Sequence, residues 1–338
     1  MRNIQSILFF LFVSISVTAQ PTLKMLESGK RISIRGLSVV NDNVIWASGS
    51  AGSVARSTDG GNTFNWIKVP GYEKNDFRDI EAFDSNTAII MGITTPAVIL
   101  KTKDGGKNWK KVFEDTTKGA FFDAMDFIDS DHGILVGDPI GDYMYVAETF
   151  NSGESWRTLS RSDKIPMSAN GEAFFASSGT NVKLIKPGGL FMVTGGKESN
   201  LYSFNDIADQ PIPIMKGGTS TGANSIDYFS VKKKGIIVGG DFSKDTISQN
   251  NCALFSYKSG KFLFTIPQTP PHGYRSCVIY LNEKNLLTCG TSGIDISKDG
   301  GMNWELISKE SFHVCQKAKK GTAVFLAGSN GRIAKLVY

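Results

Sequence analysis

One eight-residue pattern decides the fold, and it occurs four times. It first reads Ser57-Thr58-Asp59-Gly60-Gly61-Asn62-Thr63-Phe64 and returns at 102–109, 149–156 and 297–304. All copies fit Ser/Thr-x-Asp-x-Gly-x-x-Trp/Phe, except that the third has asparagine for aspartate. Glycine-rich Asp-Gly sequences supply the positive φ angles of a tight turn, and the aspartate can accept hydrogen bonds from the turn's N–H groups. The pattern predicts four β-hairpin turns with structural residues at Asp59, Asp104, Asn151 and Asp299.

A longer unit surrounds this pattern and recurs seven times. Its clearest part is a short, apolar, often β-branched run that ends in glycine, which indicates a strand rather than a helix segment. The seven runs lie at 44–49, 88–92, 133–137, 190–195, 235–239, 286–290 and 323–328. Such repeats predict an all-β fold, a seven-bladed β-propeller.

Units four and five lack the turn pattern. Ser203-Phe204-Asn205 and Tyr257-Lys258-Ser259-Gly260 stand in its place, and both units carry longer insertions, at about 205–221 and 241–251. The last unit ends at Tyr338 without an outer strand, which the segment 22–33 could supply. Joining the two ends of the chain in one blade would close the ring and remove its free sheet edges.

The first 19 residues have the layout of a secretory signal peptide. Arg2 precedes the apolar run Ile7–Val13, and Ala19 offers a small residue at the cleavage position. The run is too short to span a bilayer comfortably. We therefore expect a signal peptide at 1–19, one propeller domain at 20–338, and an exported protein, periplasmic or secreted, that does not span the membrane.

Composition and motifs exclude several classes of function. The net charge of +5 is too small, and its lysines too scattered, to indicate nucleic-acid binding. We find no glycine-rich phosphate loop, dinucleotide fingerprint, Ser-His-Asp spacing or metal-ligand cluster, so we expect no cofactor and no metal.

Four cysteines remain in the exported chain: Cys252, Cys277, Cys289 and Cys315. Export permits disulfides, and four cysteines allow three pairings. Cys277 and Cys289 could lie on neighbouring strands of one hairpin. Buried free thiols fit the sequence equally well.

The innermost strands of a propeller line its central channel, so their polar residues are the candidate site. Aligned on the apolar runs, the seven first strands place one residue each in a shared column: Arg35, Arg78, Phe122, Gly171 (beside Glu172), Asn224, Arg275 and His313. We expect the three arginines and His313 to converge on one mouth, with Asp79, Asp123 and Glu172 close by and Asp138 on a loop that can face it. Guanidinium groups bind carboxylates bidentately, so the column predicts a site for an anionic ligand. Alternatively, these charges neutralise one another in a wet channel.

Over nearly all of 20–338 the chain resembles the bacterial relatives of the plant photosystem II stability/assembly factor, which are seven-bladed Asp-box propellers. The resemblance rests on the four turn patterns, which match the Asp-box, and on the seven-fold unit. It implies a non-enzymatic activity, the binding of a partner polypeptide during assembly. An arginine-rich patch is typical of the photosynthetic members.

The turn pattern is also similar to that of the exo-sialidases. That family holds a sialic acid carboxylate with three arginines and uses a Tyr-Glu pair as nucleophile and an aspartate as acid/base. Its Phe-Arg-Ile-Pro element is replaced here by Ile34-Arg35-Gly36-Leu37, and no Tyr-Glu pair can be matched. The sequence therefore favours a non-catalytic module that binds a protein or glycan partner. The alternative is a sialidase-like glycoside hydrolase, which requires Arg35, Arg78 and Arg275 to converge on one anionic sugar.

Overall fold

The computed structural model describes residues 20–93, 96–163, 165–186, 189–203, 208–258 and 261–338. They form seven antiparallel sheets arranged as the blades of a β-propeller, so the predicted fold class is confirmed. The predicted signal peptide, Phe204 and Asn205, and Ser259 and Gly260 lie outside the described residues.

The first strand, β1 (Thr22–Glu27), belongs to the last blade, and the other strands follow in chain order. Blade one contains β2 (Ile34–Val39), β3 (Ile45–Gly49), β4 (Ser53–Ser57) and β5 (Asn65–Lys68). Blade two contains β6 (Phe77–Ala82), β7 (Ala88–Gly92), β8 (Ala97–Thr102) and β9 (Lys110–Asp115). Blade three contains β10 (Phe122–Phe127), β11 (Gly133–Ile140), β12 (Tyr143–Thr149) and β13 (Arg157–Thr158). Blade four contains β15 (Val182–Ile185), β16 (Gly189–Val193), β18 (Asn200–Ser203) and β19 (Ala208–Pro211), and blade five contains β20 (Thr221–Phe229), β21 (Lys234–Asp241), β22 (Cys252–Lys258) and β23 (Lys261–Thr265). Blade six contains β24 (Cys277–Tyr280), β25 (Leu286–Gly290), β26 (Gly293–Ser297) and β27 (Trp304–Ser308), and blade seven contains β28 (Val314–Lys317), β29 (Val324–Ala327) and β30 (Ile333–Val337). Short 3₁₀ segments lie at Arg161–Asp163, Ser230–Lys232 and Ser329–Gly331.

The ring is closed by the two ends of the chain. Strand β1 pairs with β30, with Thr22 opposite Val337 and Leu23 opposite Leu336. The last blade thus takes its outer strand from the N-terminal segment, as the sequence predicted. Pairing β1 with β30 removes a free sheet edge that would otherwise invite association with another chain.

The core lies between neighbouring blades. The second strands of blades one, two and six are fully buried along their length, because both of their faces are covered by adjacent blades. Such strands are expected to be continuously apolar rather than alternating. This is why the apolar runs were the clearest repeat in the sequence.

The sequence prediction of the innermost strand of blade four, which began at Asn170 and Gly171, is wrong. Glu172 and Ala173 form a two-residue strand, β14, which pairs with β17 (Gly195–Gly196) and extends the sheet of blade five. The innermost strand of blade four is instead β15, which pairs with β16. Between β14 and β15, residues 174–181 leave the sheet and enter the channel. We call this segment the plug.

The four repeated turns share one hydrogen-bond scheme. In the first, the Ser57 hydroxyl accepts from the Gly61 N–H at 3.0 Å, and the Asp59 carboxylate accepts from the Thr63 N–H at 3.0 Å. Bonds from Thr63, first through its hydroxyl and then its N–H, lower the pKa of Asp59 to about 2. The other copies repeat these contacts around Asp104, Asn151 and Asp299. Each turn lies between the third and fourth strands of its blade, so its polar residues are satisfied locally, away from the channel.

The four cysteines are buried free thiols. Cys277 and Cys289 lie directly opposite each other on β24 and β25. The hairpin placement expected from the sequence is therefore confirmed, but the two sulfurs are not joined.

Candidate functional site

A β-bulge at the start of the innermost strands selects which residues reach the channel. In blade one, Ile34 lies opposite Gly49 but Gly36 lies opposite Ser48, so Arg35 is an extra residue with no residue opposite it on the neighbouring strand. The same shift leaves Arg78, Asp123 and Asn224 unpaired in blades two, three and five. Bulges re-aim a side chain and end regular pairing, and here they bring these residues to one end of the channel.

Arg35 and Arg78 lie together at this end. Each donates one hydrogen bond to the plug, from Arg35 Nη1 to the Ser177 carbonyl at 3.2 Å and from Arg78 Nη1 to the Ala176 carbonyl at 3.4 Å. Arg78 also pairs with Asp76 at 2.9 Å. Burial, and then the positive charge of Arg78, lower the pKa of Arg35. The two guanidinium groups are thus close enough to repel each other.

His313 and Arg332 complete this cationic end, which we call the arginine mouth (Arg35, Arg78, Arg332 and His313). The His313 ring nitrogen Nε2 lies 2.8 Å from the Ser329 hydroxyl. Burial, followed by the charges of Arg35, Arg332 and Arg78, lowers the pKa of His313 to about 3. His313 is therefore neutral at physiological pH, because burial and then the three nearby guanidinium groups disfavour its protonated form.

Arg332 was missed by the sequence reasoning. It follows Asn330-Gly331, in the connection between the second and third strands of blade seven, whereas only innermost strands were searched. Its guanidinium lies 5.7 Å from the centre of the Phe312 ring, and its Nε donates to the Ser329 carbonyl at 3.1 Å. Searching the hairpins at the same end of each blade would have found it.

Arg275 does not face the channel, contrary to the prediction. Its side chain is fully buried, and it forms an ion pair with Asp295, which is also fully buried. The reason is a register error of one residue. The Arg275 N–H donates to the Gly239 carbonyl of the preceding blade, and the Ile34 N–H donates in the same way to the Gly328 carbonyl. Arg275 is therefore equivalent to Ile34, whose side chain lies in the core. Ser276, not Arg275, is the counterpart of Arg35.

Asp123 lies near the arginine mouth and is fully buried. Neither of its carboxylate oxygens has a hydrogen-bond partner among the described residues. Burial, followed by the neighbouring Asp138, raises its pKa well above the ordinary value, and the positive charge of Arg78 only partly opposes this. Asp138 accepts a hydrogen bond from the Phe174 N–H, at the start of the plug, at 3.0 Å.

Asp79 and Glu172, also predicted at the mouth, have structural contacts instead. Asp79 bridges two blades, since its Oδ2 accepts from the Met125 N–H at 2.7 Å. Glu172 is buried away from the mouth, where it accepts from the Tyr202 hydroxyl at 2.7 Å and the Asn200 amide at 3.0 Å. Both carboxylates are used within the fold.

The plug is fixed to several blades. Its Ser178 hydroxyl donates to the Ser276 carbonyl at 2.7 Å, and its Thr180 carbonyl accepts from the Ile226 N–H at 2.8 Å. Gly179 has a φ of +68°, and a Cβ there would lie 2.3 Å from Asp79 Cγ, so the crossing requires glycine. The sequence reasoning missed the plug, because a Ser/Gly/Thr segment between two strands resembles an ordinary loop.

A cavity of about 750 Å³ occupies the channel on the opposite side of the plug. All seven blades and the plug residues Gly179 and Thr180 line it, whereas no residue of the arginine mouth does. Three of its carboxylates contact two lysines: Glu81 pairs with Lys319, and Lys183 lies 4.0 Å from Asp126 and 3.7 Å from Asp227. Within the described ranges, no group of three or more His, Cys, Asp or Glu residues is placed to hold a metal ion.

Fold and site together define a seven-bladed β-propeller with a plugged channel and one cationic mouth. Solved structures share this fold. The structure of YCF48 bound to D1 peptide superposes with a TM-score of 0.65 at 16% identity, over 95% of this chain and 98% of that one. YCF48 from Cyanidioschyzon merolae gives a TM-score of 0.64 at 15% identity, over 93% and 98%. The resemblance to the photosystem II assembly factor thus predicted the fold correctly.

No protein-family model matches the chain, and no curated protein matches it significantly. None of the helical segments in the described residues is long and apolar enough to cross a membrane. The geometric condition for the sialidase-like alternative is not met, because Arg275 is buried in blade six and paired with Asp295 rather than directed to the mouth with Arg35 and Arg78.

Proposed function

We propose that this protein is an exported, non-catalytic propeller whose arginine mouth binds an acidic segment of a partner polypeptide. The observation that carries the proposal is the convergence of three arginines at one end of the channel. Arg35 and Arg78 bind adjacent carbonyls of the plug, and Arg332 and His313 both contact Ser329. Like charges held close together in a partly buried site store repulsion that an anion relieves. Export is proposed from the signal-peptide pattern at residues 1–19.

The mouth has unused capacity for an anion. A guanidinium offers five N–H donors, and Arg35 uses one of them for the Ser177 carbonyl. Within the described part of the chain, neither Arg35 nor Arg332 has a carboxylate within ion-pair distance. A carboxylate that bonds to these groups replaces water at donors that already have fixed positions, so little conformational entropy is lost on binding.

A partner polypeptide is favoured over a small sugar for two reasons. One solved chain with this fold is YCF48 bound to D1 peptide. In addition, the plug crosses the channel directly behind Arg35 and Arg78, which both bind its carbonyls, so it limits how deeply a ligand can enter past them. A side chain or terminus of an extended segment can reach such a site from outside the ring.

The proposal is tested by selecting binders for purified residues 20–338 from a displayed library of random dodecapeptides. We expect enrichment of acidic peptides, and binding that weakens steeply as salt is raised. The double variant Arg35→Gln/Arg78→Gln should bind them at least tenfold more weakly, equivalent to about 1.4 kcal/mol.

Arg157→Gln is the matched control, since Arg157 is an exposed arginine in the outer strand of blade three. It should bind like the wild type. Equal affinity of wild type and double variant, or no enrichment of acidic peptides, would overturn the proposal. We also expect no turnover of a fluorogenic sialoside by residues 20–338.

A further inference from the structure

Two aromatic rings stand beside the arginine mouth. Phe175 belongs to the plug, and Phe242 follows the second strand of blade five. Their ring centres are 5.6 Å apart and their planes are nearly perpendicular, at 87°. Phe242 keeps 46% of its surface exposed. We call this pair the aromatic shelf.

The shelf is held in place by hydrogen bonds on both sides. The Phe242 N–H donates to the Ser220 carbonyl at 3.1 Å, and the Ser243 hydroxyl donates to the Asp241 carboxylate at 2.7 Å. The Phe175 carbonyl accepts from the Ser177 N–H at 2.6 Å. The exposure of Phe242 therefore arises in an ordered turn rather than in a frayed one.

The shelf and the arginines are parts of one surface. Tyr274 packs against Phe242, with ring centres 6.2 Å apart, and its hydroxyl donates to the Ser177 hydroxyl at 3.2 Å. The carbonyl of the same Ser177 accepts from Arg35. The exposed Phe242 ring and the Arg35 guanidinium are thus linked through Tyr274 and one plug residue, Ser177.

We propose that the aromatic shelf is an apolar subsite of the arginine mouth, which takes an aromatic or aliphatic side chain from the segment whose carboxylate binds the arginines. This inference rests on the proposed function and specifies its partner as an extended segment with an acidic group close to a large apolar residue. Aromatic residues, phenylalanine among them, and arginine are enriched at protein interfaces, and a few such buried anchors carry most of the binding energy. An exposed ring that is already ordered gains contact area at little entropic cost.

The shelf differs from the other strongly exposed phenylalanine in the described part of the chain. Phe150 is 64% exposed, but it lies in the repeated turn of blade three and stacks on His132 with ring centres 4.5 Å apart. It belongs to the local turn and is remote from the plug. Phe150→Ala therefore removes the same side chain from a place where no subsite is proposed.

The experiment repeats the dodecapeptide selection with wild type, Phe242→Ala, Phe242→Leu and Phe150→Ala. We expect wild type to select peptides that combine an acidic residue with an aromatic or aliphatic one. Phe242→Ala should still select acidic peptides, but it should lose the apolar preference and bind wild-type peptides about tenfold to thirtyfold more weakly. Phe242→Leu should keep most of the affinity, and Phe150→Ala should match the wild type.

The outcomes separate the two proposals. If Phe242→Ala keeps the apolar preference and the affinity, the shelf is not a subsite, while the arginine mouth stands. If wild type selects no acidic peptides, the proposed function and this inference both fail. Equal melting temperatures of Phe242→Ala and wild type verify that the variant is folded. If Phe242→Ala unfolds, Phe242→Gln takes its place, and the same loss of apolar preference and affinity is expected of it.

Discussion

Replacing Arg275 with methionine should destabilise the propeller strongly without a direct effect on the arginine mouth. Arg275 is fully buried and donates from Nε to Asp295 Oδ2 at 2.7 Å. It also donates to the Tyr274 carbonyl at 2.8 Å and to the Ser292 hydroxyl at 2.7 Å. The variant leaves the buried Asp295 carboxylate with His272 as its remaining side-chain partner.

The expected loss follows from the cost of a buried charge without its counter-ion. Removing one partner of a buried ion pair typically costs about 3–5 kcal/mol of unfolding free energy. With an unfolding entropy of about 2.1 cal/mol/K per residue, a propeller of roughly 320 residues should melt about 4–7 °C lower. The double variant Arg275→Met/Asp295→Leu removes both charges and should recover at least half of this loss.

Urea unfolding followed by tryptophan fluorescence measures the free energy, and differential scanning calorimetry measures the melting temperature. Arg157→Met is the control, because its ion pairs lie at the surface, and it should leave both values nearly unchanged. A loss below about 1 kcal/mol for Arg275→Met would refute the assignment of a buried ion pair, which typically costs about 3–5 kcal/mol to break. So would a double variant less stable than the single one.

Three further predictions concern the closure, the buried acid and the repeated turns. Deleting residues 20–28 removes β1 with its half-buried Leu23 and Leu26, and should lower the unfolding free energy, measured by urea unfolding, by about 2–4 kcal/mol. An unchanged unfolding free energy would show that β1 does not close the ring. Burial raises the pKa of Asp123, so the protonated carboxyl stabilises the fold fully below about pH 4, and this stability is lost as pH rises through the raised pKa. Asp123→Asn should therefore gain about 1–3 kcal/mol over wild type at high pH and nothing at pH 4, and a gain independent of pH would count against the buried carboxyl. Asp299→Ala removes the acceptor of the Asn303 N–H and should lower the unfolding free energy by less than about 1 kcal/mol, while peptide affinity stays unchanged. A large loss of peptide affinity would disprove a purely structural role for Asp299.

Much of the fold could be predicted because it is repeated. Glycine-ended apolar runs and hairpin turns are local features with local physical causes, and seven similar units leave little choice of architecture. The same local features placed β1 correctly, since an unpaired last blade needs an outer strand from the other end of the chain.

The site was harder to predict because it depends on single-residue register. A bulge adds one residue to a strand without any change in composition, so Arg275 aligned with Arg35 although it occupies the core position of Ile34. One position decides whether a side chain reaches the channel or the core. The same error affected blade three. The alignment made Phe122 the equivalent of Arg35, whereas the bulge makes Asp123 its equivalent, although Asp123 was named among the nearby acids.

The plug could not be predicted for a different reason. Its contacts are with residues distant in the chain, such as Arg35 and Ile226, and its composition is that of an ordinary loop. Only the φ of +68° at Gly179 and the close approach to Asp79 explain the glycine there. Arg332 was missed because residues outside the innermost strands were not searched.

The decisive measurement is a crystal structure of residues 20–338 with a peptide selected by the wild-type protein. We predict that a carboxylate of the peptide contacts Arg35 and Arg78 and that an apolar side chain of the peptide covers Phe242. A peptide bound in the cavity on the other side of the plug, or along an outer blade edge with the arginines still free, would show that the arginine mouth is not the binding site.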